Sequence, residues 1–348
     1  MEFGICVASR PADLDYVVEA ESLGFTHCWM ADSQMIWSDV YAMLALAAER
    51  TTTMQIGTGV AVAGTRPSSV TAAAMATINE LAPGRVFCGI GSGNTAMRIM
   101  GHKPMRIAEF DRYLSELRSL LDGQETAIDF RGVESPVVHL MPDSGFVRFE
   151  PRIPLHVSAF GPRSLELAVR HGDGLITSAP PVPEAISALR SRVDRPREEF
   201  PMATLTTIVV TEDGEPLDSE RVRRRAGAFA IAGVHYAYDQ FAQYGRRPPA
   251  HMTSFWDEYV EQVEQTPPEL RHQRVHLGHN CWVIPEEERF LTAELIERSC
   301  LIGTPGQLAE RIAELDAAGL DQIVLLPPLD EKEAVIREVA DRVFPLVR

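Results

Sequence analysis

Lysine is almost absent from this sequence of 348 residues. Only Lys103 and Lys332 are lysines, and acidic residues outnumber basic ones by 49 to 33, so the net charge is −16. A surface this negative repels phosphate backbones and anionic headgroups. We therefore expect neither nucleic acid nor a membrane among the partners of this chain.

Cysteine is scarce as well, and its spacing is uninformative. The number of cysteines is odd and no C-x-x-C pair occurs; the five are Cys6, Cys28, Cys88, Cys281 and Cys300. This pattern indicates neither a disulfide framework nor a zinc ribbon. Because the first three lie in apolar runs, we expect them to be small buried residues.

Long apolar segments are also missing. No run approaches the ~20 residues of a membrane span. The N-terminus lacks a basic segment followed by an apolar stretch and a cleavage site, so we expect a cytoplasmic protein. The hydrophobic content of 45% and charged content of 24% are typical of a folded globular chain and exclude extensive disorder.

A unit of helix, glycine and strand recurs along the chain. Amphipathic stretches end at glycines for which we expect left-handed backbone, namely Gly24, Gly84, Gly172 and Gly319. Continuous apolar strands follow or precede them near 3–8, 26–30, 54–62, 85–90, 153–158, 174–178, 203–211 and 321–326. Eight strands of this kind, alternating with helices, predict an α/β fold, the (β/α)₈ TIM barrel. A doubly wound sheet is the alternative, but no G-x-G-x-x-G follows the first strand.

Two stretches interrupt the repeat. Residues 122–152 predict an excursion after the fourth unit, and residues 212–302 predict a larger helical insertion within a single domain of residues 1–348. An insertion after the C-terminal end of a strand lies on the catalytic face of a barrel. We interpret 212–302 as a lid over the substrate; a peripheral decoration or a dimer contact is the alternative.

Three glycine-containing segments are candidates for a binding site. Glycines interrupt the strand at 56–62, which indicates either a close approach to a flat ligand or a bend of the barrel. In segment 88–95 a strand ends in three glycines, and we expect Asn94 or Thr95 to cap the helix that follows. This spacing matches neither a Walker A motif nor a Rossmann fingerprint.

The third segment, 156–164, is typical of a phosphate site. A strand runs into a helix that Gly161 and Pro162 open. The hydroxyl of Ser158, the N–H groups of Arg163 and Ser164 and the arginine charge suit an anion. Helix capping without a ligand is the alternative.

Other chemistry is weakly represented. His272, His276 and His279 lack a HExxH pattern and a clear carboxylate partner, so we predict no metal site and expect solvated lid residues. His156 shares a strand face with Ser158 and is expected to be a satisfied core histidine. No G-x-S-x-G elbow is present.

Taken together, these segments resemble the bacterial luciferase-like superfamily of flavin- and deazaflavin-dependent oxidoreductases, in particular its methylenetetrahydromethanopterin reductase-like branch. The resemblance spans nearly the whole chain in order, and the residues that carry it are 30–33, 55–62, 64–67, 82–94, 160–163 and 302–306. It implies a TIM barrel with the cofactor ring at the C-terminal ends of the strands.

The resemblance also implies how the ring is held. It implies a non-prolyl cis peptide between Gly59 and Val60 that supports the back of the ring, with Val60 and Ala61 in contact with it. Gly93 and Asn94 are then expected to hold the ribityl region.

For the phosphate, the resemblance implies Ser158, Gly161, Pro162 and Arg163 as ligands, with Ala159 also in the cofactor site. Asp32 and Ser33 are the candidate catalytic residues near the reactive edge. Relatives often carry histidine at the position of Ser33, so the usual acid/base group is missing.

We expect an FMN-dependent oxidoreductase, specifically a monooxygenase that acts on a small organic substrate with flavin reduced elsewhere by a separate flavin reductase. One alternative is hydride transfer with coenzyme F420, for whose anionic tail Arg66 is a candidate partner. Another is a flavin-binding barrel without catalysis. We expect a homodimer or higher homo-oligomer.

Overall fold

Eight parallel strands close into a barrel in the computed structural model, which describes all 348 residues. In chain order the strands are β1 (Glu2–Val7), β2 (His27–Met30), β3 (Gln55–Thr58, continued by Ala61–Val62), β4 (Val86–Gly91), β5 (Leu155–Ser158), β6 (Gly174–Thr177), β7 (Met202–Thr206) and β8 (Gln322–Leu325). Each strand pairs with the next, and β8 pairs with β1, where Ile5 lies opposite Leu325. The TIM barrel is confirmed, and an open doubly wound sheet is excluded.

Helices surround the barrel. Their bounds are α1 (Leu14–Ser22), α2 (Val40–Arg50), α3 (Ser68–Leu81), α4 (Asn94–Arg98), α5 (Ile107–Leu121), α6 (Pro162–His171), α7 (Pro183–Arg190), α8 (Glu220–Tyr244), α9 (Trp256–Glu264), α10 (Arg271–Arg274), α11 (Ala293–Ser299), α12 (Pro305–Ala317), α13 (Lys332–Arg342) and α14 (Phe344–Val347). None of them combines the length and the apolar character that crossing a membrane requires.

The main core lies between the strands and the helices. It contains 61 buried residues, which explains why the strands are continuous apolar runs: both of their faces are covered. A second cluster of buried side chains, which we call the inner cluster, consists of Cys6, Trp29, Ala31, Phe87, Ile176, Ala203, Val324 and Leu326. All five cysteines are buried and free, which confirms the expected burial of Cys6, Cys28 and Cys88.

The glycines at the helix ends serve two different purposes. Gly24, Gly84 and Gly319 have positive φ values of 91°, 75° and 99°, which confirms the left-handed turns. The prediction for Gly172 is wrong, because its φ is −89°. A Cβ atom there would lie 2.8 Å from the carbonyl oxygen of Ala168, so close packing explains this glycine.

The insertion begins with a correction to the predicted strand at 203–211. That stretch forms β7 and then a separate strand, Ile208–Val210, which pairs in parallel with Leu301–Gly303 outside the barrel. The helices α8 to α11 lie between these two short strands and share a core of twenty buried residues. Phe229 of α8 packs against both this core and the inner cluster, so the insertion is seated on the barrel.

The excursion at 122–152 contains an antiparallel hairpin. Its strands are Thr126–Phe130 and Val133–Val137, and most of their side chains are exposed. The hairpin adds no residue to the barrel interior.

A half-buried histidine on β5 predicts a loss of stability in acid. Burial lowers the pKa of His156 from 6.5 to about 4, and its ring lies 5.4 Å from the Trp29 ring. Between these pH values the unfolded chain binds a proton that the folded chain does not. The free energy of unfolding should therefore decrease as the pH falls from 6.5 to 4, by at most about 1.4 kcal/mol per pH unit for one group.

Urea unfolding across this pH range checks the expectation. In His156→Gln the free energy of unfolding should depend less steeply on pH than in the wild type. Part of the dependence should remain, because the pKa of His27 is also lowered, to about 3. His102 is exposed, so His102→Gln should leave the slope unchanged. Equal slopes in the wild type and His156→Gln would contradict the assignment.

Candidate functional site

The C-terminal ends of β3, β4 and β5 converge on one another. A Cβ atom at Gly91 would lie 3.0 Å from Cγ2 of Val60 and 3.5 Å from Cβ of Ser158. Three segments that are far apart in the sequence therefore meet around a position that has no side chain. The Gly59–Val60 peptide bond is cis, as the resemblance implied.

The second glycine-rich segment lies directly beside this point. Gly93 has a φ of 86°, and a Cβ atom on it would lie 2.5 Å from Cγ1 of Val62. The predicted helix cap is wrong: Gly93 itself precedes the first turn of α4. The side chain of Asn94 instead accepts a hydrogen bond from Nε of Arg98 at 3.0 Å.

The loop after β5 opens α6 at the glycine and proline that the sequence predicts. Gly161 precedes α6, and Pro162 is its first residue. Ser164 Oγ accepts a hydrogen bond from the Gly161 N–H at 3.1 Å and donates one to its carbonyl oxygen at 2.9 Å. This reciprocal pair fixes the loop without using the N–H groups of Arg163 and Ser164.

Among the other residues of this loop, Ala159 anchors it to the barrel, whereas Arg163 has no protein partner. Ala159 is buried, and its N–H donates to the Ile176 carbonyl at 3.3 Å, which anchors the loop to β6. Ser158 is half-buried beside Gly91. Arg163 is exposed and has no protein partner, so its guanidinium group is free to meet an anion.

Asp32 is committed to protein contacts. Its Oδ2 accepts hydrogen bonds from Arg66 Nη1 at 2.7 Å and from the Val62 N–H at 3.2 Å. Burial raises the pKa of Asp32, and Arg66 opposes that effect. Ser33 is buried, and its carbonyl accepts the N–H of Trp37 at 3.0 Å. Whether Asp32 and Ser33 act in catalysis stays a prediction.

Arg66 is held by protein side chains and is not a solvated surface residue. Its second Nη donates to Asp39 Oδ2 at 3.1 Å, and its guanidinium carbon lies 4.7 Å from the centre of the Tyr41 ring. The side chain thus bridges two carboxylates, Asp32 and Asp39. Only two of the five N–H groups of the guanidinium are used in these bonds, so whether Arg66 also meets the cofactor tail stays a prediction.

None of the three histidines that were predicted to be solvated, His272, His276 and His279, is fully exposed. His276 is only 4% exposed, while His272 and His279 are half-buried. Burial lowers the pKa of His279 well below its usual value. No group of three or more His, Cys, Asp or Glu side chains has the geometry to hold a metal ion.

The sequence analysis missed a tryptophan at the mouth of the barrel. Trp37, in the loop after β2, packs against the inner cluster, as Val60 does. Its Nε1 donates to Sγ of Cys281 in the insertion at 3.3 Å. An aromatic residue in the loop that follows a barrel strand is the signal that could have identified it.

The family follows from a match over most of the chain. Residues 1–322 match the model of a family described as "Luciferase-like monooxygenase". The chain belongs to the luciferase-like monooxygenase family. It is therefore an oxidoreductase, and the non-catalytic alternative is not retained.

Two curated relatives align along nearly their whole length. The chain is 27% identical, over 370 aligned positions that cover 100% of both proteins, to 5,10-methylenetetrahydromethanopterin reductase of Archaeoglobus fulgidus. It is 26% identical to F420-dependent glucose-6-phosphate dehydrogenase of Intrasporangium calvum, covering 96% of the chain and 94% of that protein.

Solved structures of similar proteins share the fold. The coenzyme F420-dependent tetrahydromethanopterin reductase of Methanopyrus kandleri superposes with a TM-score of 0.71 at 19% identity, covering 100% of this chain and 99% of that one. The oxygenating constituent of 3,6-diketocamphane monooxygenase of Pseudomonas putida, in complex with FMN, gives 0.61 at 15% identity, covering 99% and 98%. Proteins that share this fold thus include both F420-dependent and FMN-containing enzymes.

Proposed function

We propose that this luciferase-like protein is an F420-dependent oxidoreductase that transfers a hydride between the deazaflavin and a small organic substrate. The sequence alone favoured FMN over F420. We reverse this preference because of the positive charges around the phosphate loop. Two arginines near the phosphate loop have no carboxylate partner. F420 continues beyond its phosphate into a tail with several carboxylates, whereas FMN ends at the phosphate.

The arginines are Arg163 on α6 and Arg246 just after α8, and both are exposed. Neither forms an ion pair, although the chain carries a net charge of −16 and carboxylates are abundant. Unpaired guanidinium groups in an acidic protein suit an anionic ligand, because each offers several charge-assisted hydrogen bonds.

Contacts between α8 and the phosphate loop bring these charges to the same region. The ring of Phe160, which precedes the loop glycine, lies 6.1 Å from the ring of Tyr236 on α8. Gln240 is one helical turn further along α8 and accepts a hydrogen bond from Arg246 at 3.0 Å. Arg246 therefore lies along the helix face that borders the loop.

The curated relatives support the same cofactor. One full-length relative is F420-dependent by name, and so are shorter matches at 31–32% identity over about half of the chain. We carry their cofactor to this chain as part of the proposal.

The strand ends suit the remaining parts of the cofactor. Gly59, Val60 and Ala61 would support the ring, and Gly93 and Asn94 would hold the ribityl chain. Gly91 leaves room between Val60 and Ser158 where a side chain would interfere. When bound, F420 would supply the carbon centre that accepts or donates the hydride.

The phosphate would lie at the start of α6. Ser158, Ala159, Gly161, Pro162 and Arg163 form this loop, with free N–H groups at the first turn of the helix. The positive end of the helix dipole favours an anion there. The insertion, residues 212–302, would cover the substrate side.

Titration of the purified protein with F420 and with FMN tests the proposal. We expect saturable quenching of F420 fluorescence and much weaker FMN binding. After reduction, the F420 complex should not consume oxygen beyond the rate of free reduced cofactor. Tight FMN binding with oxygen uptake and no F420 binding would overturn the proposal in favour of the second candidate.

That second candidate is an FMN-dependent monooxygenase, with flavin supplied by a separate reductase. The observation that favours it is the apolar inner cluster, which Val60 and Trp37 extend toward the barrel mouth. An oxygenase needs such a dry pocket and few polar groups, because the reduced flavin activates oxygen.

Arg163→Ala should weaken binding of the phosphate-bearing cofactor by about 1–3 kcal/mol, the scale of a lost hydrogen bond to a charged group. That corresponds to a dissociation constant raised roughly 5- to 150-fold. Arg192 is also exposed and also lacks an ion pair, so Arg192→Ala controls for the change in net charge. Fluorescence titration measures both, and equal constants for the two variants would contradict the assignment of the loop.

A further inference from the structure

Three histidine rings form a cluster inside the insertion. The rings of His235 on α8, His276 and His279 have centroids 5.4 to 6.4 Å apart, and the His235 and His279 rings stack. The Nδ1 atom of each is buried and has no hydrogen-bond partner. Buried imidazoles without partners are costly, so such a cluster points to a function.

A carboxylate holds the first ring in place. Nε2 of His235 lies 3.0 Å from Oε2 of Glu287, and both side chains are 1% exposed. Arg274 lies 3.7 Å from the other oxygen of Glu287 and balances its charge. His235 is thus fixed in orientation by a buried carboxylate, and its ring fixes His279 by stacking.

A second pair of charges connects the cluster to the glycine-rich loop after β4. Oδ2 of Asp239 lies 3.4 Å from Nε2 of His276 and 3.4 Å from Nε of Arg98. Arg98 also donates to the side chain of Asn94, which is assigned to the cofactor site under the proposed function. The formal charges of the two carboxylates, Glu287 and Asp239, balance those of the two arginines, Arg274 and Arg98. The network therefore has no net charge when the three histidines are uncharged.

His279 is the member of the cluster that reaches the barrel mouth. Its ring lies 5.9 Å from the ring of Trp37, which packs against the inner cluster. Nε2 of His279 makes no hydrogen bond, and unlike Nδ1 of the same ring it is not fully enclosed. Burial, with His276 and His235 nearby, keeps the pKa of His279 well below its usual value, so the ring is an uncharged base at neutral pH.

We propose that His279 is the catalytic base of this enzyme for substrates that bear a hydroxyl group, because the chain carries serine and not histidine at position 33. This inference rests on the proposed function. In the oxidative direction the C–H bond breaks and its electron pair leaves with hydrogen to oxidised F420. The O–H bond breaks, its proton goes to Nε2 of His279, and a C=O bond forms.

A metal site, a solvated surface and a purely structural role each fit the cluster less well. A metal site would need at least three ligands in suitable geometry, and no such group exists in the structure. Solvated surface histidines would be exposed, whereas His235 and His276 are 1% and 4% exposed. Most enclosed polar atoms in a purely structural cluster have a hydrogen-bond partner, whereas four ring nitrogens of these three histidines have none.

The first test needs neither cofactor nor substrate. Diethyl pyrocarbonate reacts with accessible, uncharged imidazole, and mass spectrometry locates the modified residue. At neutral pH His279 should react faster than His235 and His276. If His279 is as unreactive as those two, its Nε2 does not reach the barrel mouth and the proposal is overturned.

The second test uses F420 with a panel of short-chain secondary alcohols and glucose 6-phosphate as probes. His279→Asn should lower kcat by roughly 10²- to 10⁴-fold, the contribution of a general base, with the F420 dissociation constant unchanged. The acidic limb of the kcat pH profile should disappear in the variant. His272 is half-buried and lies outside the cluster, so His272→Asn should behave as the wild type.

The outcomes separate the two proposals. Failure of the wild type to bind F420 overturns the proposed function. Normal F420 binding with full turnover by His279→Asn overturns the role of His279 alone. F420 binding without turnover of any alcohol or of glucose 6-phosphate overturns the assignment of hydroxyl-bearing substrates.

Discussion

Arg66→Ala is expected to lower the free energy of unfolding by about 3–5 kcal/mol, because it leaves a buried carboxylate without its partner. Only 3% of the Asp32 side chain is exposed, and Arg66 provides its closest contact at 2.7 Å. The remaining donor is the Val62 N–H at 3.2 Å. One backbone hydrogen bond does not replace the charge of a guanidinium group.

The loss should depend on pH in a definite direction. Burial already raises the pKa of Asp32 above 3.8, and Arg66 is the main group that opposes the rise. Without Arg66 the pKa rises further, so the folded chain keeps a proton that the unfolded chain has released. The free energy of unfolding of Arg66→Ala should therefore decrease as the pH rises above 3.8, relative to the wild type.

Two further variants separate the buried contact from the exposed one. Asp39 is 57% exposed, so Asp39→Asn should cost at most about 1 kcal/mol. The double variant Asp32→Asn/Arg66→Ala carries no buried charge and should recover most of the loss. Denaturant unfolding gives the free energy of unfolding of the wild type, Arg66→Ala, Asp39→Asn and the double variant. A double variant as unstable as Arg66→Ala would show that lost packing, not the unpaired charge, dominates.

The single variant Asp32→Asn tests the predicted catalytic role of Asp32. Asp32→Asn retains the shape of the side chain and an acceptor for the Val62 N–H. If Asp32 serves only to anchor the end of β3, this variant should fold and turn over substrate at a rate close to that of the wild type. A large decrease in kcat without a loss of stability would support catalysis by Asp32.

The barrel was predictable because its signals are local. Each strand is buried on both faces and therefore apolar along its length, as in 3–8 and 321–326, and turns such as those at Gly24 and Gly319 require positive φ. The exception is 203–211, where Thr207 separates two strands that belong to different sheets. The hydrophobic pattern continues across that break, because both strands are buried.

The candidate site was predictable only where backbone conformation defines it. Gly161 and Pro162 must occur where α6 opens, so the sequence displays them. The partners of Arg66 and the burial of His276 depend on contacts across 25 residues or more of sequence, including one with Asp239. No local pattern encodes such contacts, and the sequence analysis therefore assigned both side chains to solvent or to a ligand.

Gly89→Ala should cost about 3 kcal/mol or more, at the upper end of what overpacking a core costs. A Cβ atom at Gly89 would lie 2.2 Å from the carbonyl oxygen of Thr58. The obstructing atom belongs to the backbone of β3, so no side-chain rotation can relieve the contact. The neighbouring strands β3 and β4 would have to move apart, and the hydrogen bond from Thr58 Oγ1 to the Gly89 carbonyl at 2.6 Å would lengthen.

The effect should extend from stability to cofactor binding. The same Cβ atom would lie 3.1 Å from Cγ1 of Val60, and Gly91, two residues further along β4, contacts Val60 as well. Gly306→Ala is the matched control, because nothing lies within 4 Å of a Cβ atom at Gly306 in the first turn of α12. That control should be neutral or stabilising by up to about 1 kcal/mol. Thermal unfolding and F420 titration measure both variants, and a Gly89→Ala protein as stable as Gly306→Ala would contradict the close contact between β3 and β4.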